Sequence, residues 1–217
     1  MDGVLAAQIA EAFYVFVTLV AMLNPIEAAA AFATLTEGRT PADRAQIARR
    51  ASIVAGVTLI GFAFLGEALL KALGVEIGAF KIAGGLLLLK VGFDMVFAEK
   101  TDRQTADTAK AVAPASDPSV FPLAIPIITG PGALTASVAL VNPTDEHNYL
   151  NGTIFVVVAV IVVFITYVFM RGAQTLTRVF GVTGIDAVGR IVGIIVAAIA
   201  VQLVINGVAG LTNLTIR

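Results

Sequence analysis

The sequence predicts an all-α integral membrane protein whose six transmembrane helices form two inverted three-helix repeats. Hydrophobic residues make up 58% of the chain. Charged residues make up 13%, which is about half the usual fraction in a soluble domain. The apolar residues fall into six segments, each near the roughly 20 residues that cross a bilayer. Two of these segments, in corresponding positions of the two halves, are interrupted by proline.

The spans are predicted from runs of apolar residues bounded by polar or charged ones. They cover approximately Ala12–Leu35, Ala51–Leu70, Ile77–Phe97, Phe121–Val141, Gly152–Met170 and Val188–Gly210. The chain then divides into a first repeat (residues 1–98), a cytoplasmic linker (99–119) and a second, inverted repeat (120–217). The linker is rich in Ala, Thr, Asp and Pro, and it is predicted to be a flexible, solvated tether.

Basic residues predict how the spans are oriented. Most of the 14 Lys and Arg residues lie in or beside loops 1–2, 3–4 and 5–6. They are Arg39, Arg44, Arg49, Arg50, Lys100, Arg103, Lys110, Arg171, Arg178 and Arg190. Because basic loops stay in the cytoplasm, we expect these loops inside and both termini outside the cell inner membrane. The N-terminus lacks the basic segment of a cleaved signal peptide, so we expect it to be retained.

Spans 1 and 4 are predicted to be broken helices. Span 1 contains Asn24-Pro25 near its middle, and span 4 contains Thr-Gly-Pro-Gly at residues 129–132. Asn and Gly suit the cap of a new helix, and Pro25 and Pro131 suit its first position. Unpaired backbone groups are costly in lipid, so each break should be covered by protein or face a water-filled cavity. A kink filled by a neighbouring helix is the structural alternative.

The two halves also repeat in sequence. Pro25 matches Pro131, and Gly74 matches Gly181 at nearly the same offset. A unit of three spans crosses the membrane an odd number of times, so its second copy enters from the opposite side. Inverted repeats that each contain a broken helix are typical of secondary transporters, whose substrate lies between the breaks near mid-membrane.

The predicted site is the set of residues around the two breaks. Half-helices that begin at Pro25 and Pro131 would present backbone N–H groups and positive dipole ends to one pocket. This arrangement suits a carboxylate or a zwitterion, and Thr129 is expected to hydrogen-bond the substrate. The predicted substrate-binding residues are Asn24, Pro25, Ile26, Glu27, Thr129, Gly130, Pro131 and Gly132.

Charged residues within the spans are candidates for ion coupling or gating. Glu27 lies in the first turn after Pro25, where it is either a proton carrier or a cap of its own helix. Lys90 and Asp94 lie four residues apart on span 3 and share a face. They form either a neutralising pair near the cytoplasmic end or an ion-coupled gate.

Other polar and small residues predict helix contacts. Gln202 and Asn206 lie four residues apart in span 6, where they either line the pathway or hydrogen-bond to another helix. Gly84 and Gly85 in span 3 and the GxxxG segment 189–193 in span 6 are expected to pack closely against other helices, within the chain or between copies.

Composition argues against several functional classes. The chain has no Cys, so disulfides, thiol chemistry and Cys-ligated metals are excluded. Its single His, His147, lies in a polar loop. We therefore expect no metal, no cofactor and no enzyme activity. The net charge of −1 gives no support for a nucleic-acid partner.

The chain resembles the MarC family of membrane proteins over essentially all six spans. The resemblance rests on three segments: Asn24–Phe32 (NPIEAAAAF), Ile82–Phe97 (IAGGLLLLKVGFDMVF) and Pro122–Ala136 (PLAIPIITGPGALTA). It implies transport of small neutral amino acids such as glycine and alanine, coupled to an ion gradient or to protons. Export of another small metabolite and a channel-like pore are the alternatives, and a homo-oligomer is compatible with each.

Overall fold

The computed structural model describes residues 2–97, 117–141 and 148–212, which form helices and the turns that join them. The helices are α1 (Asp2–Leu23), α2 (Pro25–Leu35), α3 (Pro41–Ala72), α4 (Ile77–Phe97), α5 (Ser119–Ile128), α6 (Pro131–Leu140), α7 (Asn148–Arg171) and α8 (Ala173–Thr212). The all-α prediction is therefore confirmed for these residues. Most of the predicted linker and His147 lie outside them.

Four segments are long and apolar enough to cross a membrane: Leu5–Leu35, Pro41–Ala72, Gly152–Arg171 and Asp186–Leu211. The bent pair α5–α6 adds a fifth candidate. Helix α4 has the length of a span, 21 residues, but it also contains Lys81, Lys90 and Asp94. A multi-pass membrane protein with four to five candidate spans is thus supported, and the sixth span remains a prediction.

The break in span 1 is confined to one residue. Asn24 has φ 39° and ψ 74°, a left-handed conformation that Asn tolerates better than most residues. Its N–H still donates to the Val20 carbonyl, and its own carbonyl accepts from the Ala28 N–H, both at 3.0 Å. Helix α2 therefore begins at Pro25 as predicted, while Leu5–Leu35 remains one candidate span.

The break in span 4 is sharper, because α6 begins at Pro131 and runs at 61° to α5. Helix α5 is itself irregular, since Pro122 and Pro126 have no N–H to donate. At its end, the Thr129 N–H donates to the carbonyl of Ala124, five residues earlier, at 2.9 Å. The predicted break is present, and the prolines before it also remove the regular α-helix that was expected from residue 121.

The two halves contact each other in matching helix pairs. Helix α4 packs along α8, and α3 packs along α7. The contact of α1 with α6 matches that of α5 with α2, and the contact of α2 with α7 matches that of α6 with α3. Likewise, α1 contacts α7 where α5 contacts α3. Exchanging α1–α4 for α5–α8 therefore reproduces these contacts.

Glycines allow the backbones of α4 and α8 to approach closely. They are Gly78, Gly85 and Gly92 on α4, spaced about two helical turns apart, and Gly193 and Gly207 on α8, which lie about four turns apart with Ala200 midway between them. A Cβ on Gly85 would lie 2.8 Å from the Ala200 carbonyl oxygen, and one on Gly92 would lie 2.9 Å from the Ala197 nitrogen. These are backbone atoms that cannot rotate away, so the contact requires glycine.

Within the chain, the predicted GxxxG contact is made by Gly193 and not by Gly189. A Cβ on Gly189 would meet nothing within 4 Å, whereas one on Gly193 would lie 3.1 Å from the Gly92 carbonyl oxygen. Gly84 also faces elsewhere, because a Cβ there would collide with Thr135 of α6. Close packing of α4 against α8 thus follows the seven-residue spacing of Gly78, Gly85 and Gly92.

The buried apolar residues form two clusters that divide the helices. The larger cluster joins α1, α2, α3, α5, α6 and α7, with Ala173 at the start of α8. The smaller one joins Ala21 of α1, Leu88 of α4, and Val196 and Ala200 of α8. The glycine-packed pair α4–α8 therefore forms one packing unit and the other helices form a second, and the two units contact each other where α4 meets α6 and α2 meets α8.

An ion pair connects the third turn of α3 to the segment just before α5. Arg50 Nη1 lies 2.7 Å from Asp117 Oδ2, and Asp117 Oδ1 accepts the Ser119 N–H at 3.0 Å. Partial burial opposes ionisation of Asp117, but the hydrogen bonds and the charge of Arg50 outweigh it and lower the pKa of Asp117. Both side chains are about half exposed, 53% and 43%, so the pair contributes at most about 1 kcal/mol.

We expect Gly92→Ala to lower the free energy of unfolding by about 1–3 kcal/mol, because the added methyl group overpacks the α4–α8 contact. Gly189→Ala is the matched control, since its methyl group would meet open space. Thermal unfolding in detergent, followed by circular dichroism, measures both. Equal unfolding midpoints for the two variants would contradict the packing.

Asp117→Asn is expected to lower stability by at most about 1 kcal/mol near neutral pH. The folded-state pKa of Asp117 lies below its unfolded value, so its stabilisation is present above the unfolded pKa and is lost as pH falls through the folded one. Denaturant unfolding at a series of pH values, with Arg50→Gln and the double variant, measures the pair. A difference that stays constant into strong acid would refute this assignment.

Candidate functional site

Helix α4 lies against both helix breaks. Asn24 Nδ2 contacts Met95 Sδ at 3.9 Å. At the other break, a Cβ on Gly132 would collide with the side chain of Leu88. Leu88 and Met95 lie two turns apart on one face of α4, which separates the breaks by about 10 Å along its axis. The two breaks therefore share one side of α4.

The first break is capped by its own residues. Asn24 Oδ1 accepts the Glu27 N–H at 3.4 Å, and Asn24 Nδ2 donates to Glu27 Oε2 at 2.8 Å. Asn24 is buried and Glu27 is half-buried. These reciprocal bonds resemble a capping box, and the dipole of α2 favours the carboxylate. Glu27 thus acts as a cap, one of its two predicted roles, and it occupies the positive end of α2.

The second break has no such cap. Gly130 precedes α6 with extended dihedrals (φ −70°, ψ 171°) and has no side chain to bond the free N–H groups. Pro131 supplies no N–H, and the first turn of α6 contains no acidic residue. The N-terminus of α6 therefore keeps its positive dipole end without a carboxylate from its own first turn, in contrast to α2.

The hydroxyl groups near the second break bond to their own helices. Thr129 Oγ1 donates to the Ala124 carbonyl at 2.8 Å, and Thr135 Oγ1 donates to the Pro131 carbonyl at 2.9 Å. Thr129 is also 1% exposed. The position of Thr129 therefore does not support the expectation that it hydrogen-bonds a substrate, because its hydroxyl group bonds to a backbone carbonyl in the last turn of α5 instead.

Glycines at the second break let α4 cover it. Gly84 lies against Thr135, and Gly132 lies against Leu88, so a side chain at either glycine would separate α4 from α6. The break is thus covered by protein. This agrees with the expectation that unpaired backbone groups avoid lipid, where they are unfavourable. Sequence reasoning missed Leu88 and Met95, because nothing local indicates which face of α4 meets the breaks.

The remaining predicted residues divide between the breaks and the outer surface. Pro25 is buried and Ile26 half-buried at the first turn of α2. Lys90 and Asp94 instead form an ion pair of 2.6 Å with side chains 64% and 48% exposed. They point away from the face of α4 that carries Leu88, so their position favours the neutralising pair over the gate. The described part of the chain contains no cluster of three or more acidic or His residues that could hold a metal ion.

Comparison with known proteins gives a consistent result. The sequence model described as "MarC family integral membrane protein" matches residues 9–212. The chain is 34% identical to a UPF0056 membrane protein of Methanocaldococcus jannaschii, over 90% of this chain and 94% of that protein. It is 31% identical to YvbG of Bacillus subtilis (91% and 94% covered) and 30% identical to YhcE of Escherichia coli (92% of each). No solved structure matches the chain significantly.

We expect Asn24→Ala to lower the free energy of unfolding by about 2 kcal/mol. The variant loses the cap of α2 and places alanine in the left-handed region, which alanine tolerates less well than asparagine. Asn24→Gly is the matched control, because glycine adopts this conformation freely and should cost less than about 1 kcal/mol. Thermal unfolding in detergent compares them, and equal losses would show that the backbone at Asn24 is unstrained.

Proposed function

The chain belongs to the MarC family of integral membrane proteins, and we propose that it is a secondary transporter of small neutral amino acids in the cell inner membrane. One observation carries this proposal: two breaks in apolar helices lie against the same side of α4. One break contains a carboxylate, and the other contains a helix N-terminus without one in its first turn.

An inverted repeat explains the layout of the helices. In this proposal α4 is the sixth span, and its 21 residues reach about 30 Å. The matching helix contacts support a twofold relation between the halves, and three spans per half make that relation an inversion. Gly74 and Gly181, which match in the sequence repeat, both have positive φ, 68° and 62°. Broken helices in inverted repeats hold the substrate in known transporters.

A zwitterionic amino acid has one favourable orientation between the breaks. Glu27 would repel a substrate carboxylate from the end of α2, so the substrate ammonium group lies near Glu27. The carboxylate then accepts from the N–H groups that follow Pro131, where the helix dipole favours an anion. The sequence had predicted that both helix ends receive the carboxylate, and the Asn24–Glu27 bond argues for only one.

The spacing of the breaks suits a small substrate. Along α4 they lie about 10 Å apart, which accommodates one amino acid with a hydrogen bond of about 3 Å at each end. Leu88 contacts Gly132 and Met95 contacts Asn24, so a substrate would meet apolar groups at both breaks. We therefore expect glycine and alanine to displace these side chains least, and a larger side chain to require more movement.

Alternating access would move the α4–α8 pair against the other helices. The breaks belong to the larger packing unit, and Leu88 and Met95 belong to α4, so the substrate site lies between the two units. Gly74 and Gly181 precede α4 and the membrane-spanning part of α8, and a Cβ on either would meet nothing within 4 Å. They are therefore suited to act as the two hinges.

Glu27 is also the residue to which we assign coupling. It is the half-buried carboxylate at the breaks, and the substrate ammonium group and a proton would compete for it. Release of the substrate would then accompany proton uptake, which couples transport to a pH gradient.

Uptake of radiolabelled alanine into proteoliposomes tests this function. We expect saturable uptake, competition by glycine but not by phenylalanine, and counterflow driven by internal alanine. Glu27→Gln should keep the cap of α2 but raise the KM for alanine about tenfold or more, since a charged hydrogen bond is worth about 1.5–3 kcal/mol. Glu67→Gln is the control, because Glu67 pairs with Lys71 away from the breaks.

Two results would contradict the proposal. Flux that neither saturates nor shows counterflow would indicate a channel. A Glu27→Gln variant with unchanged KM would remove the carboxylate from substrate binding, even if transport itself were established.

A further inference from the structure

We propose that two copies of this chain associate through the face of α8 that is centred on Gln202 and Asn206. Helix α8 packs on α4 through Gly193, Ala200 and Gly207. Gln202 and Asn206 lie on a different face, and both are exposed. Within the described part of the chain they bond to each other and not to another helix, which was one of their predicted roles.

The Gln202 amide lies at a depth where lipid offers no partner, and Asn206 lies one helical turn nearer the end of the span. The candidate span is Asp186–Leu211, so Gln202 lies about 13 Å from its end in a hydrocarbon layer about 30 Å thick. Gln202 Nε2 donates to Asn206 Oδ1 at 2.8 Å. This bond leaves the Gln202 carbonyl and the Asn206 N–H groups without a partner within the described part of the chain. Polar groups without hydrogen-bond partners in hydrocarbon are costly.

A second copy supplies the missing partners. A twofold axis along the membrane normal brings the same amides to the same depth on both copies. Each amide carries a donor and an acceptor, so identical pairs complement each other. The flanking residues on this face are apolar or small: Ile191, Ile195, Ala198 and Ala209. Small residues let two membrane helices approach closely, and amides then hydrogen-bond across the contact.

Single-cysteine cross-linking tests the interface, because the chain has no Cys of its own. Ile195→Cys places a thiol on the proposed face, whereas Ile194→Cys places one at nearly the same depth but about 100° around the helix. Both positions are exposed, 42% and 61%. We expect oxidation in native membranes to give a dimer with Ile195→Cys and little or none with Ile194→Cys.

Adding Gln202→Leu and Asn206→Leu to the Ile195→Cys variant should abolish the dimer. Unchanged circular dichroism would show that this variant still folds. Three results would overturn the proposal: no dimer from Ile195→Cys, equal dimer from Ile194→Cys, or a dimer that survives both leucine substitutions. A cross-linked species with the mass of another protein would indicate a different partner. The inference does not depend on the proposed transport.

Discussion

Backbone N–H and C=O groups in hydrocarbon must find partners within the protein, and the rest of this structure depends on how the two helix breaks satisfy that requirement. At the first break, Asn24 and Glu27 bond to each other and cap α2. At the second, Thr129 bonds to the end of α5, and Gly132 admits Leu88 of α4. One helix end is therefore filled by the protein's own carboxylate and the other is not. This asymmetry is the basis for the proposed orientation of a substrate between the breaks.

Glycine has two separate effects in this architecture. Along α4 and α8 it removes side chains, so that the two backbones pack closely and form a unit of their own. Glycine also allows positive φ at Gly74, just before α4, and at Gly181, at a kink within α8. Tight packing within the unit and freedom at its two connections are together what a moving element requires. Because the breaks lie on one unit and Leu88 and Met95 on the other, movement between the units would open and close the space between the breaks.

The breaks could be predicted from the sequence because proline, asparagine and glycine act locally. Asn24-Pro25 and Gly130-Pro131 end and begin helices by the geometry of their own backbones. The faces of the helices could not be predicted, because they depend on packing between distant segments. In the sequence, Leu88 and Met95 are ordinary apolar residues, and only the packing of α4 shows that they meet the breaks. Gly189 and Gly193 match the same motif, but only Gly193 packs against Gly92. The irregularity of α5 was missed for another reason: Pro122 and Pro126 lie in an apolar run that was read as helix.

The proposed transport depends on how a substrate is oriented between the two breaks. Solid-state NMR of the bound amino acid tests this orientation most directly. Alanine labelled with 13C at its carboxyl group would be bound to protein labelled with 15N at glycine, in lipid bilayers. We expect dipolar dephasing of the carboxyl carbon by the Gly132 amide nitrogen, and weaker dephasing when only the alanine methyl carbon is labelled. Bound alanine whose carboxyl carbon shows no contact with the start of α6 would contradict it.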